Sequence, residues 1–122
     1  MLKTVTDPAT VEGCIFTSPF CASVDDEKVV NFVKAYQDAY GETPDQFAAD
    51  AYDAIYIIKA AAEQAGVTPD MSVADIGSAL EAAMAEISVD GLTGDSMTWQ
   101  ATGEVSKAPK AVVIKDGAYS AM

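Results

Sequence analysis

Residues 43–66, TPDQFAADAYDAIYIIKAAAEQAG, constrain the fold of this chain more than any other stretch, because they spell out a long helix from start to stop. Thr43 suits an N-cap, Pro44 the first helical position, and Gln46, three residues after Thr43, closes a capping box. Gly66 supplies the C-terminal stop. Between them Phe47, Ala51, Ile55, Ile58, Ala62 and Ala65 recur at spacings of four, four, three, four and three. That is the apolar stripe of a helix lying on a core.

The remaining elements arrange themselves around this helix. A strand is expected over residues 13–18 and a helix over 26–40, with Val29, Phe32, Val33, Tyr36 and Tyr40 on one face and Gly41 at its end. Ser72, with Asp75 three residues on, caps a further helix to about residue 87, on which Ile76, Leu80, Ala83, Met84 and Ile87 form the stripe. Strands follow around Met97 and Val113, and Gly103 and Gly117 each close a short turn after a polar residue. The result is an α/β chain of about three helices packed on a few short strands. Residues 11–122 read as a single domain, since 122 residues leave room for one core and no more.

Charge and missing residue types exclude several functions. Seven lysines, no arginine and 19 acidic residues give a net charge of -12, which repels phosphate and denies bidentate arginine contacts to bases, so no nucleic acid partner is expected. Without histidine, neither a Ser-His nor a Cys-His pair can form within the chain. No CxxC spacing points to zinc or thiol redox chemistry, and no metal or cofactor is expected. The step from Gly91 to Gly94 lacks the Lys-Ser or Lys-Thr of a phosphate loop and reads as a turn into a strand.

Carboxylates and thiols are the remaining candidates for chemistry. Asp50 and Asp53, three apart on one helix, could share a cleft as acid and base; the competing readings are a solvated face, or one capping contact beside one surface charge. An enzyme is not the expected class. Cys14 is expected inside the strand as a buried thiol and Cys21 in a loop. A disulfide between them requires a sharp reversal, because seven extended residues reach roughly 23 Å while bridged Cα atoms lie about 5.5 Å apart. The opening sequence MLKTVTDPATVEG has no apolar signal-peptide core, so residues 1–10 are read as an N-terminal extension or a leader added by cloning.

The wording of three segments, in order, carries a family resemblance. The long helix holds Pro44-Asp45, Phe47-Ala48-Ala49 and Tyr52-Asp53-Ala54. Before it, residues 12–20 read EGCIFTSPF and are followed by Asp25-Asp26 and Tyr40-Gly41. After it come Gly91-Leu92-Thr93-Gly94, Met97-Thr98-Trp99, Thr102-Gly103-Glu104, Val112-Val113-Ile114 and Lys115-Asp116-Gly117. Together these resemble the C-terminal third of type I periplasmic binding proteins of the branched-chain amino acid class.

The resemblance implies a partial type I binding-protein lobe, one piece of a protein whose two α/β lobes are joined by three crossovers around a ligand cleft. The parent would be an extracytoplasmic solute-binding protein of an ABC importer, binding a branched-chain amino acid or similar small organic acid and delivering it to a membrane permease. Ligand contacts are implied at Phe47, where α-helical N–H groups also face an anionic ligand group, and at Phe20 just after the crossover strand. Strands that have neighbours in the family lack them here, so a homodimer or domain-swapped assembly through strands near Ile15 or Val113 is expected. The alternative is a small α/β protein-interaction module without ligand-binding activity.

Overall fold

A computed structural model describes residues 5–122, and the first four residues of the extension read over 1–10 lie outside them. The described residues form two compact units, one of residues up to Ala49 together with Pro109–Met122, the other Asp50–Ala108. The helix expected over 44–65 runs from one unit into the other.

The first unit holds a three-stranded antiparallel sheet in the order β1-β4-β5, made of β1 (Ile15–Thr17), β4 (Ala111–Lys115) and β5 (Ala118–Ala121). Phe16 pairs with Val112 and Ile114 with Tyr119, which puts these four side chains on one face of the pleat. Val112 and Ile114 are buried there, and the Phe16 and Tyr119 rings meet edge to face at 5.5 Å. The turn between β4 and β5 places Asp116 and Gly117 at φ 52° and 71°, the two positive angles that a tight hairpin of this twist requires. The Glu12 carboxylate accepts both turn N–H groups, from Asp116 at 2.9 Å and Gly117 at 3.4 Å. A short 3-10 helix (Pro8–Val11), capped by Asp7, straddles the boundary at residue 10 between the stretch read from sequence as extension and the domain.

Two expectations about this sheet change. Val113 belongs to the middle strand, paired on one side with Ile15 and on the other with Ser120, so it offers no edge for another chain. Among the described residues only β1 and β5 stand at the edges of this sheet. The cysteines are also exchanged: Cys14 is exposed in the turn feeding β1, whereas Cys21 is buried with its Sγ 3.2 Å from Ser23 Oγ. Both are free thiols.

In the same unit, α1 (Glu27–Tyr40) starts at Asp26, whose carboxylate accepts from Lys28 N and Val29 N, and ends at Gly41 in the left-handed region. Its expected face holds for Val29, Phe32, Val33 and Tyr36, but Tyr40 in the last turn is exposed.

The second unit packs α2 (Gln46–Gln64) on α3 (Val73–Met84). Ala61, Ala83 and Ile87 form the buried centre, with Ile57, Leu80, Met84, Val89 and Trp99 around it. Trp99, partly buried, packs against this cluster. Ser72 caps α3 and its hydroxyl donates to Asp75 Oδ2 at 2.7 Å, as the sequence indicates. The helix stops at Met84, a turn short of Ile87, yet every member of its expected stripe is at least half-buried. Strands β2 (Thr98–Trp99) and β3 (Val105–Ser106) pair beside it, and Met97 itself forms only a bridge to Val89.

The stripe expected for α2 holds only at its end, where Ala62 and Ala65 are half-buried, while Phe47, Ala51, Ile55 and Ile58 are exposed. Ile55 and Ile58 are 67% and 56% exposed, Phe47 is 70% exposed, and the face turned inward is instead Ala49, Asp53, Ile57 and Ala61. The physical reason lies in composition: α2 is apolar on almost every side, so periodicity shows two candidate faces and cannot choose between them. The helix ends as expected, with Val67 N bonding to Ala62 O across Gly66.

Candidate functional site

The N-terminus of α2 carries the ligand contacts implied by sequence, and its local construction differs from the expected one. Asp45, not Thr43, is the cap: its carboxylate accepts from Ala48 N at 3.0 Å and its carbonyl from Ala49 N at 3.2 Å. Thr43 Oγ1 is engaged by Gln37 Nε2, and Gln46 turns its side chain away to Ser18 instead of closing a capping box. Ser18 Oγ lies 2.8 Å from Phe20 O and 3.2 Å from Gln46 Oε1, one hydroxyl shared between two acceptors. The turn that carries Phe20 is thereby tied to the first residue of α2.

The two phenylalanines occupy opposite environments at this junction. Phe20 is 6% exposed, its ring edge-on to Phe32 at 5.9 Å. Phe47, the second residue of α2, holds its ring in solvent. The Asp45 carboxylate sets a negative charge beside the helix end, so an anionic group arriving there meets it as well as the N–H groups of the first turn. An ammonium group meets attraction at the same place.

A second polar constellation, deeper in the other unit, was not read from sequence. Asp53 is 3% exposed, and its carboxylate accepts three hydrogen bonds: Leu92 N to Oδ1 at 2.8 Å, Thr93 N to Oδ2 at 2.9 Å, and Thr93 Oγ1 to Oδ2 at 2.7 Å. Lys107 Nζ donates to Thr93 Oγ1 at 2.6 Å and lies 3.4 Å from Asp50 Oδ1. Neither alternative read for this pair of acids describes it: Asp53 is buried against residues 92 and 93, and the partly exposed Asp50 pairs with Lys107. Lys107 and Thr93 link the two carboxylates in one chain of polar contacts.

Glycine spacing was the available signal for this cradle. A Cβ at Gly91 would stand 2.6 Å and 2.7 Å from Asp53 Cγ and Oδ1, and one at Gly94 would stand 2.8 Å from Met97 Cγ. The loop needs glycine at both positions because its backbone closes on a carboxylate and a thioether. No group of three or more potential metal ligands occurs among the described residues. A depression lined by Ala60, Glu63, Gln64, Glu86, Ile87 and Ser88 is open to solvent and bears two carboxylates, a poor seat for an aliphatic solute.

Comparison with known proteins decides the family. The family model described as periplasmic binding protein matches residues 1–118. The chain belongs to the periplasmic binding protein family. Among curated proteins nothing matches it. Solved structures of the family are similar over nearly the whole chain. A protein of Rhodospirillum rubrum described for branched-chain amino acid ABC transport is 29% identical, with a TM-score of 0.70 over 98% of this chain and 35% of its own. An ABC transporter substrate-binding protein of Desulfitobacterium hafniense, solved in complex with Leu, is 21% identical with a TM-score of 0.74 over 93% of this chain and 32% of its own. A solute-binding protein of R. palustris in complex with benzoate is also 21% identical, with a TM-score of 0.71 over 94% of this chain and 31% of its own.

This periplasmic binding protein chain therefore spans about a third of the length of the solved structures it matches. The partial type I fold read from sequence is the fold found. No helix among the described residues is long and apolar enough to cross a membrane.

Proposed function

We propose that this chain is the C-terminal portion of an extracytoplasmic solute-binding protein of an ABC importer, and that the whole protein binds a branched-chain amino acid or a similar small organic acid for delivery to a membrane permease. The family match over residues 1–118 carries the reading. Relatives solved with Leu and with benzoate support an amphipathic carboxylic acid as the class of solute. Binding of this kind uses cleft closure, and no bond is broken.

Phe47 is the residue proposed to touch the solute. Its exposed ring at the first turn of α2 offers apolar surface, while Asp45 beside it offers a partner for a ligand ammonium. Phe20, buried on Phe32, acts at one remove by fixing the Ser18–Phe20 turn against Gln46. Calorimetric titration with leucine, isoleucine, valine and benzoate, on the chain alone, tests whether these residues suffice. Saturable binding lost in Phe47→Ala supports the assignment. Binding unchanged by that substitution refutes it, since truncating an exposed ring leaves the fold alone.

The rival reading, an interaction module, draws on the exposed apolar side of α2. A homodimer is the simplest such assembly, and light scattering on the same sample distinguishes it from a monomer.

A further inference from the structure

Two Asp-Gly steps occur in the chain, Asp90-Gly91 and Asp116-Gly117, and the structure holds them differently. Asp90 Oδ1 accepts from Ser96 N at 2.6 Å and from Ser96 Oγ at 3.3 Å, while Gly91 N donates to Gly94 O at 2.8 Å. Carboxyl and nitrogen are both occupied there, in the loop that closes on Asp53. Asp116 is exposed in the turn between β4 and β5, and among the described residues no hydrogen bond reaches its carboxyl. Only the backbone of this turn is held. Asp116 N and Gly117 N donate to the two oxygens of the Glu12 carboxylate at 2.9 Å and 3.4 Å, and a Cβ at Gly117 would stand 3.6 Å from Pro8 Cβ, in the short helix that precedes Glu12.

A free aspartyl carboxyl beside a glycine nitrogen is the arrangement that closes to a succinimide, because glycine has no side chain to shield its nitrogen and leaves the backbone free to bring it round. We propose that Asp116 is a site of spontaneous isoaspartate formation in this protein, and that Glu12 sets its rate. The Gly117 nitrogen loses its proton and attacks Cγ of the protonated Asp116 carboxyl; the N–Cγ bond forms, the Cγ–OH bond breaks, and hydroxyl and proton leave as water. A water molecule then reopens the ring. Cleavage of N–Cγ restores aspartate, whereas cleavage between Gly117 N and the Asp116 carbonyl carbon leaves a chain that runs through Cβ and Cγ. Nothing is oxidised or reduced. The extra backbone carbon disturbs the pairing of Lys115 with Ala118 that closes the hairpin. Glu12 opposes the reaction twice: holding the Gly117 N–H keeps the nitrogen from turning toward Cγ, and the carboxylate charge disfavours the anionic nitrogen that attacks. The turn therefore has to open locally, releasing Glu12, before the ring closes.

The test is to age the chain at neutral pH and body temperature, count isoaspartate by methylation with an isoaspartyl methyltransferase, and locate it by electron-transfer fragmentation. The parent, Glu12→Gln and Glu12→Ala are compared with a synthetic peptide of residues 111–121, which carries the Asp-Gly step without Glu12. Isoaspartate is expected at 116 and not at 90. It should form slowest in the parent, about fivefold faster in Glu12→Ala, at an intermediate rate in Glu12→Gln, which keeps an acceptor oxygen without the charge, and fastest in the peptide. Hydrogen exchange at the Gly117 amide should quicken in the same order among the three proteins.

A Glu12→Ala rate equal to the parent's overturns the proposal, and a slower one does so by making Glu12 the base that removes the proton. Equal acceleration at Asp90 and Asp116 in Glu12→Ala also overturns it, because both steps then report a loosened fold and not a released turn. So does an aged Glu12→Ala chain with no isoaspartate at 116 once the peptide has converted. Asp116→Glu, whose longer side chain closes only to a six-membered ring, should silence the signal in every background, and a signal that survives it refutes the assignment. No readout involves solute, so a failure of leucine or benzoate binding does not bear on the outcome.

Discussion

Replacing Asp53 by asparagine changes one atom at the centre of the second unit, and the geometry gives the size of the effect. Oδ1 accepts one hydrogen bond and Oδ2 accepts two, all from buried groups. An amide keeps one accepting oxygen, which can retain the two Thr93 donors, but its NH2 then confronts Leu92 N–H, donor against donor. One buried N–H left without an acceptor costs about 1–3 kcal/mol, and the two surviving bonds each lose roughly 1 kcal/mol of charge assistance. The sum, about 3–5 kcal/mol, lowers the melting midpoint by roughly 12–20 °C in a chain of this size.

Far-UV circular dichroism on heating, with urea titration at fixed pH, measures this change. Gly91→Ala supplies an independent probe of the same contact, because its Cβ would displace the Asp53 carboxylate and should cost a comparable amount. In an Asp53→Ala background the obstruction is gone, so adding Gly91→Ala should cost much less than it does alone. An Asp53→Asn protein that melts within about 2 °C of the parent, or strict additivity of the Gly91 and Asp53 substitutions, would refute the reasoning.

Other expectations are simpler to check. Asp45→Ala should destabilise by about 1 kcal/mol as a lost N-cap, whereas Thr43→Ala, which removes an exposed side-chain contact only, should change stability by less than about 0.5 kcal/mol; thermal melts of both separate the two caps. The Tyr52 hydroxyl, hydrogen-bonded to Tyr56 at 3.3 Å, is held above the ordinary tyrosine range chiefly by that bond, then by desolvation and nearby charge. Its neutral form is the one favoured in the fold, so the pair's contribution is full below the ordinary tyrosine pKa and is lost as pH rises through the raised value. Ultraviolet titration should show one tyrosine ionising later than the rest, and Tyr56→Phe should abolish the delay. A thiol reagent should label Cys14 rapidly and Cys21 only on unfolding, giving two kinetic phases.

How far sequence went can be judged element by element. Helix α3 was legible because its apolar stripe faces its own neighbours and its polar face meets water, so pattern and burial coincide. Helix α2 was legible as a helix, and as the carrier of the family resemblance, but its orientation was hidden by its two apolar sides. The cap moved from Thr43 to Asp45 because tertiary partners claimed the competing groups: Gln37 took the Thr43 hydroxyl and Ser18 took the Gln46 amide. No local rule weighs such contacts. Phe47 and Phe20 were proposed from resemblance, and their opposite burial follows from packing against Phe32 that spacing does not reveal. Asp53 was singled out, but its partners lie 39 and 40 residues away, and only the paired glycines hinted that a loop closes on something there.

The grip of Glu12 on the Asp116–Gly117 turn spans 104 residues of sequence, and β1 waits as long for β4. During synthesis at about 5–20 residues per second, β1 emerges roughly 5–20 seconds before β4, the strand it pairs with in this sheet. Residues 50–108, by contrast, form their own contacts within one uninterrupted stretch and can fold while the ribosome is still working. This sheet is thus completed late, and the Ile15–Thr17 strand lacks its β4 partner until residues 111–115 have been made.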